Sequence, residues 1–133
     1  MVKLRALTVS WVLGWGLATP LATPVLAQPI TVDTRVAGPQ PVVSVTSNDV
    51  TVVNIAPPGP GGVSNNAFTH FNVRPAGMVL NNSASDSPTE LAGQISGNPM
   101  LGNGPAATIL NQVTAPNPSQ LLGTLEVAGQ QIG

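Results

Sequence analysis

The sequence predicts an all-β fold for the residues after position 27, and three observations lead to this prediction. Proline and glycine each occur 14 times in 133 residues, which leaves few uninterrupted windows for a helix. Short runs of β-branched residues recur along the chain, and clusters of turn-forming residues separate them. Only 7% of the residues are charged, which is typical neither of a coiled coil nor of a charged disordered tail.

The first 27 residues have the composition of a signal peptide. Lys3 and Arg5 form a positively charged start, and the apolar run Ala6–Ala18 that follows is shorter than the about 20 residues of a membrane-spanning helix. Two prolines then end the helix, and small residues precede a predicted cleavage site after Ala27. An uncleaved N-terminal anchor is the alternative, and the short apolar run disfavours it.

The remaining chain reads as strands and tight corners. Six segments have strand composition: Ile30–Val32, Val42–Val45, Asp49–Ile55, Phe68–Val73, Thr108–Val113 and Thr124–Val127. Turn clusters rich in proline, glycine and asparagine lie between them at 57–62, 74–77, 81–83 and 102–105. Strands without intervening helices are typical of a sandwich, a barrel or a β-solenoid, and the few charges and many asparagines favour the solenoid.

Charge and cysteine content exclude several functions. After removal of residues 1–27, Arg35 and Arg74 remain against five acidic residues, a net charge of -3. Nucleic-acid binding is therefore not expected, because it depends on clustered basic residues. The chain has no cysteine, so disulfides and thiolate metal sites are excluded.

No enzyme chemistry is predicted. His70 is the only histidine and lies within a predicted strand, so we interpret it as an ordinary strand residue and expect no metal or cofactor. Asp86, Glu90 and Glu126 could form a carboxylate pair in principle, but we interpret them as solvated charges, with Glu126 facing away from its apolar neighbours. The sequence contains no GxSxG nucleophile elbow.

Five short motifs resemble, in order, the N-terminal secretion domain of filamentous haemagglutinins and the related contact-dependent-inhibition exoproteins. The resemblance covers roughly residues 28 to 130 and is tightest after Asn65. The motifs are Asn66–Val73 (NAFTHFNV), Val79–Asn82 (VLNN), Leu91–Leu101 (LAGQISGNPML), Ala107–Val113 (ATILNQV) and Pro118–Gln130 (PSQLLGTLEVAGQ).

Two departures accompany the resemblance. The family's NPNL element occurs here as Asn98-Pro99-Met100-Leu101, with methionine at its third position. The family's second signature, NPNGI, would follow the last motif, whereas the sequence ends at Gly133. We therefore expect residues 28–133 to be the N-terminal part of a truncated secretion domain.

The resemblance implies a right-handed parallel β-helix with an N-terminal cap. It also implies export across the inner membrane by the general secretion machinery, processing by signal peptidase, and recognition in the periplasm by an outer-membrane transporter of a Gram-negative bacterium. Asn98, Pro99 and Leu101 are its candidate recognition residues. The predicted core residues of the strands are Phe68, Phe71, Val73, Leu125 and Val127.

The leading functional interpretation is the targeting module of a secreted or surface-exposed adhesin. The alternatives are a fragment of a growth-inhibition toxin, a fragment of a haem-binding exoprotein, or a truncated gene product without function. A β-helical polysaccharide-active enzyme is disfavoured, because the sparse charges cannot line a catalytic cleft. Contact with a host or neighbouring cell would depend on a downstream body, and a short β-helix is expected to be marginally stable or oligomeric.

Overall fold

The computed structural model describes residues 29–129. Within this range the chain forms nine strands and one 3-10 turn, and it contains no α-helix, which confirms the all-β prediction. The predicted signal peptide and the cleavage site after Ala27 lie outside the described residues. The strands are β1 (Ile30–Val32), β2 (Val42–Val45), β3 (Thr51–Asn54), β4 (Val63–Phe71), β5 (Met78–Asn81), β6 (Ser87–Thr89), β7 (Gly93–Ile95), β8 (Thr108–Val113) and β9 (Leu125–Ala128), and the 3-10 turn is Pro60–Gly62.

Two sheets form a stack of strands, and a hairpin lies beside it. The first sheet has the order β1-β4-β8, the second has the order β2-β3-β5-β9, and β6 pairs with β7 alone. Pairing is parallel from β4 to β8 and from β3 through β5 to β9. The two N-terminal strands β1 and β2 pair antiparallel with β4 and β3. After the two antiparallel N-terminal strands, each later strand of the two sheets is therefore added parallel to the one before it.

The register of the second sheet aligns the apolar side chains that form much of the main core. Val43, Val53, Leu80 and Val127 occupy one row across the four strands, because each is the Cα partner of the next. All four belong to the core or pack against it. Phe68 and Phe71 from the other sheet complete it, with ring centroids 5.1 Å apart. Ring edges and faces at this distance attract each other in addition to the apolar burial.

A smaller apolar cluster covers the opposite face of the second sheet. Val52 and Val79 point to this face, where Ile95 of β7 packs on them. Every residue of β5 is therefore buried, as expected for a parallel strand with both faces covered.

Leu125 was predicted to be a core residue, but it is exposed in the structure. Phe68, Phe71 and Val73 are buried and Val127 is half-buried, whereas Leu125 is 43% exposed. Leu125 faces the same side as Met78, its buried partner on β5. It is exposed because β9 is the last strand of its sheet, so no further strand covers it among the described residues.

Polar residues explain where strand boundaries differ from the prediction. The strand predicted over Phe68–Val73 instead begins at Val63 and ends at Phe71, because Ser64 and Asn66 are buried and hydrogen-bonded within it. The Ser64 hydroxyl donates to the Ala56 carbonyl at 2.6 Å, and the Asn66 side-chain oxygen accepts from the Ala56 amide at 2.8 Å. The β6–β7 hairpin was not predicted, since Pro88 and Gly93 are depleted in strands except at edges.

Asp33 fastens the N-terminal strand to the rest of the stack. Its carboxylate, in a residue only 3% exposed, accepts hydrogen bonds from the Arg35 guanidinium at 2.8 and 2.9 Å and from the Thr114 hydroxyl at 2.6 Å. Arg35 holds the pKa of this carboxyl far below its usual range, and Thr114 acts in the same direction. The segment after β1 is thereby tied to the segment after β8.

We expect acid to destabilise the fold through Asp33. The pKa of this carboxyl is lower in the folded chain than in the unfolded chain, so its stabilising effect is complete above about pH 4 and is lost as the pH falls further. Urea unfolding between pH 3 and 6 should show a steeper loss of stability for the unsubstituted chain than for Asp33→Asn. Equal slopes for the two proteins would contradict this assignment.

A second prediction concerns Gly123, which lies against a neighbouring segment. A Cβ atom there would lie 2.1 Å from the Arg74 carbonyl oxygen and 2.9 Å from the Pro75 carbonyl oxygen. Gly123→Ala should therefore lower the unfolding free energy by about 2 to 4 kcal/mol in urea titrations. Gly102→Ala is the matched control, because a Cβ there meets nothing within 4 Å. Similar urea midpoints of unfolding for the two variants would show that Gly123 does not lie close to the Arg74 and Pro75 carbonyls.

Candidate functional site

The element predicted to mediate recognition lies in the connection between β7 and β8. Asn98 is 1% exposed, and its side-chain amide donates to the carbonyls of Ile55 and Asn81 at 2.9 and 3.1 Å. Its side-chain oxygen accepts from the Met100 amide at 3.0 Å, and its own backbone amide donates to the Ser83 carbonyl at 2.7 Å. Asn98 thus joins several separate segments of the stack.

The burial of this element changes the interpretation of its residues. Leu101 is 1% exposed and belongs to the main core, while Pro99 is exposed on the surface. A partner that meets the folded domain cannot reach the side chains of Asn98 and Leu101. In the folded domain Pro99 is the accessible residue of the three, and a part for Asn98, Pro99 and Leu101 in recognition stays a prediction.

Further buried asparagines share this structural role. The Asn82 side chain bonds both the amide and the carbonyl of Ala106, at 2.7 and 2.9 Å. The Asn81 amide donates to the side-chain oxygen of Asn54, its register partner on β3, at 2.8 Å, and to the Ser96 carbonyl at 2.9 Å. Satisfied buried amides of this kind fix the path of a chain, because each one left unpaired costs free energy.

Two of the three acidic side chains singled out in the sequence accept hydrogen bonds from loop amides, and Glu126 lies beside Glu90. The Glu126 carboxylate accepts hydrogen bonds from the backbone amides of Glu90 and Leu91 at 2.9 and 3.0 Å. Asp86 accepts from the Gly97 amide at 3.0 Å. Glu126 points away from the main core as predicted, and its half-buried carboxylate fastens the β6–β7 hairpin to β9.

The candidate metal-ligating side chains of the described residues do not lie together in one group. Between residues 29 and 129, no set of three His, Cys, Asp or Glu side chains lies close enough to hold a metal ion. His70 lies in β4, and its ring nitrogen Nδ1 is 3.3 Å from the Thr69 hydroxyl. In the same range no helix is long and apolar enough to cross a membrane.

Among residues 29–129, each sheet has two edge strands that pair with a neighbour on one side only. The edge strands are β1 and β8 in the first sheet and β2 and β9 in the second. The Thr46 amide donates to the Val50 carbonyl across the β2–β3 pair, so the even-numbered residues of β2 face β3. The main-chain groups of Val43 and Val45 therefore point outward, where an added strand could pair with them.

Comparison with known sequences identifies relatives that are much longer than this chain. A family model described as the TPS secretion domain matches residues 28–133. A protein named Toxin CdiA from Yersinia pestis is 45% identical over 92 residues, which make up 69% of this chain and 3% of that protein. Filamentous hemagglutinin from Bordetella pertussis is 48% identical over 83 residues, or 62% of this chain and 2% of that protein.

Agreement in fold accompanies the similarity in sequence. A protein named tRNA nuclease CdiA from Yersinia mollaretii is 38% identical over 130 residues, which cover 97% of this chain and 4% of that protein. The crystal structure of a filamentous hemagglutinin secretion domain superposes with a TM-score of 0.68 at 41% identity, over 77% of this chain and 33% of that one. These findings confirm the resemblance seen in the sequence motifs: the chain belongs to the TPS secretion-domain family, the secretion domains of two-partner-secreted proteins.

Proposed function

We propose that residues 28–133 act as the export-recognition module of a two-partner-secreted protein, read by a transporter in the outer membrane. The observation that carries this proposal is the joint agreement of sequence and fold with a filamentous hemagglutinin secretion domain. A secretion domain is not catalytic in itself, so any enzymatic activity of the longer relatives belongs to other parts of those proteins. The main proposal is export of an adhesin.

The proposed route begins at the N-terminus. Residues 1–27 act as a signal peptide, the general secretion machinery carries the chain across the inner membrane of a Gram-negative cell, and signal peptidase cleaves after Ala27. The domain then meets its transporter in the periplasm and passes to the cell surface or the medium. The absence of cysteine supports this route, because no disulfide can lock the chain before it is threaded outward.

The proposed architecture is the beginning of a right-handed parallel β-helix. Support comes from the parallel pairs β3-β5-β9 and β4-β8, which place successive passes of the chain above one another. The antiparallel strands β1 and β2 lie at the start of both sheets, where an N-terminal cap would lie.

We infer that the transporter binds by adding a strand to β2. The outward main-chain groups of Val43 and Val45 can pair with an extended segment, and such pairing makes little demand on side chains. The burial of Asn98 and Leu101 supports this inference, because it directs recognition away from those side chains. They would act by holding the stack in shape.

The cargo of the longer protein has two principal candidates. The relatives include a protein named Filamentous hemagglutinin and a protein named Toxin CdiA, which supports an adhesin and a growth-inhibition toxin as the two candidates. Contact with a host or neighbouring cell is assigned to a body outside this chain, as is any haem binding. A truncated product without function would lack the transporter binding tested below.

Substitution of Asn98 separates folding from direct recognition. Asn98→Ala leaves the Ile55 and Asn81 carbonyls and the Met100 amide without their partner, so it should lower the unfolding free energy by about 3 kcal/mol. Pro99→Ala, on the exposed neighbour, should change it by less than about 1 kcal/mol. Urea titrations measure both. A stable Asn98→Ala chain that fails to bind the transporter would restore a contact role for Asn98.

Binding to the transporter's periplasmic domain tests the proposed edge. Val45→Pro removes an outward N–H without touching the β2–β3 ladder and should weaken binding about tenfold or more in calorimetric titrations. Val45→Ala is the matched control, since it keeps the amide. Equal affinity of the Pro and Ala variants would exclude strand addition at β2, and no binding by the unsubstituted chain would overturn the recognition function.

Export in cells tests the proposed route independently. Co-expression with a transporter of this class should release the chain to the surface or medium with Gln28 as its N-terminal residue. Retention of the chain in the cell in the presence of an active transporter, or a different N-terminus, would contradict the corresponding step.

A further inference from the structure

The connection between β7 and β8 holds the only asparagine of the sequence that glycine follows, Asn103-Gly104. The main-chain nitrogen that follows an asparagine can attack the carbon of its side-chain amide and close a cyclic imide. Glycine hinders this attack least, because it has no side chain and lets the backbone rotate freely. The sequence therefore places the most reactive pair of this kind at a single position.

Asn103 lies at the surface, in a tight turn from Leu101 to Gly104. It is exposed, and within residues 29–129 its side-chain amide has no hydrogen-bond partner. A Cβ atom added at Gly102 or Gly104 would meet nothing within 4 Å, so the space on both sides of Asn103 is open. The turn closes through a bond from the Gly104 amide to the Leu101 carbonyl at 2.9 Å. No contact therefore holds the Asn103 side chain away from the nitrogen of its neighbour.

Other asparagines are restrained by their bonds or by the residue that follows them. Four are buried and use their side chains to hold groups of other segments; they are Asn66, Asn81, Asn82 and Asn98. Asn117 precedes proline, whose nitrogen carries no hydrogen and cannot form the ring. Asn48 and Asn65 are exposed, but bulkier residues follow them. In the described part of the chain, Asn103 alone combines an exposed, unbonded amide with a following glycine.

One contact opposes the attack, namely the bond that the Gly104 amide donates to the Leu101 carbonyl. This bond must open before the nitrogen can react. A single bond across an exposed turn opens at the lowest end of the free-energy range of local unfolding, whereas a buried asparagine is released only when several bonds and apolar contacts break. The bond therefore slows the ring closure at Asn103 but does not prevent it.

We propose that Asn103 is a site of spontaneous deamidation, with the main-chain nitrogen of Gly104 as the nucleophile. This nitrogen bonds to the side-chain carbonyl carbon of Asn103, the carbon–nitrogen bond of the amide breaks, and ammonia leaves with the Gly104 amide proton. Water then opens the cyclic imide at either carbonyl, which yields aspartate or isoaspartate at position 103. The reaction needs only water and adds a negative charge. The proposal does not depend on transporter recognition.

The isoaspartate product changes the main chain as well as the charge, because the chain then runs through the former side chain and gains a methylene group. Both ends of the turn are anchored. Leu101 is 1% exposed in the main core, and the amide and carbonyl of Ala106 bond the Asn82 side chain at 2.7 and 2.9 Å. A longer link between fixed ends disturbs one of them. The isoaspartate form should therefore unfold at a lower urea concentration than Asn103→Asp, which carries the charge without the methylene group.

Peptide mass spectrometry on the full chain tests the site. The purified protein is kept folded in warm, mildly alkaline buffer for several weeks, and a second sample is kept unfolded in guanidinium chloride. In the folded sample, the peptide that contains Asn103 should gain the mass of an amide-to-acid conversion at least about tenfold faster than any other asparagine-containing peptide. Isoaspartate should be present at position 103, since the cyclic imide opens on either side. A methyltransferase specific for isoaspartate labels this product independently.

Asn103→Gln is the matched control, because its amide is a methylene group further from the Gly104 nitrogen. It should lose nearly all of the isoaspartate labelling, and circular dichroism checks that it folds. Conversion of Asn103 in the unfolded sample but not in the folded sample would show that the turn protects this residue and would overturn the proposal, as would no conversion in either sample. Faster conversion at another asparagine of the folded chain, or undiminished labelling of Asn103→Gln, would also contradict it.

Discussion

Hydrogen bonds between parallel main chains set the positions of the core side chains in the described part of this molecule. They place Val53, Leu80 and Val127 in one row, so the core arises from register and needs few large side chains. They also explain the scarcity of charge, since stacked strands bring equivalent positions close together and like charges would repel. A chain with 7% charged residues avoids this conflict.

Buried asparagine side chains fix the path of the segments that connect the strands. Asn66, Asn82 and Asn98 each bond main-chain groups of segments distant in sequence. Replacement of such a group by an apolar one would leave several main-chain partners unsatisfied, which makes these positions sensitive although they touch no ligand. A sequence motif can therefore be characteristic of a secretion domain because the domain requires it to fold.

The sequence alone was sufficient for the all-β class and for six of the nine strands in residues 29–129, all but β5, β6 and β7. Val42–Val45 and Thr108–Val113 occur where β-branched composition placed them. Composition did not predict strands where tertiary contacts outweigh local propensity. Ser64 and Asn66 lie inside β4, and the hairpin that contains Pro88 lies at an edge. The burial of Asn98 and the exposure of Leu125 also depend on neighbours far along the chain, which no local pattern encodes.

The bond between Asp33 and Thr114 has a bearing on the timing of folding. It spans 81 residues and fastens the first strand of the described chain to the segment that follows β8. Closing so long a loop carries a large entropic penalty before any contact repays it, and proteins dominated by distant pairings fold slowly. A polypeptide that leaves the ribosome or a translocation channel from its N-terminus cannot complete this fastening until residue 114 has emerged. Until then β1 is held only by its pairing with β4, so one of the attachments of the N-terminal strand is still missing while the rest of the chain emerges.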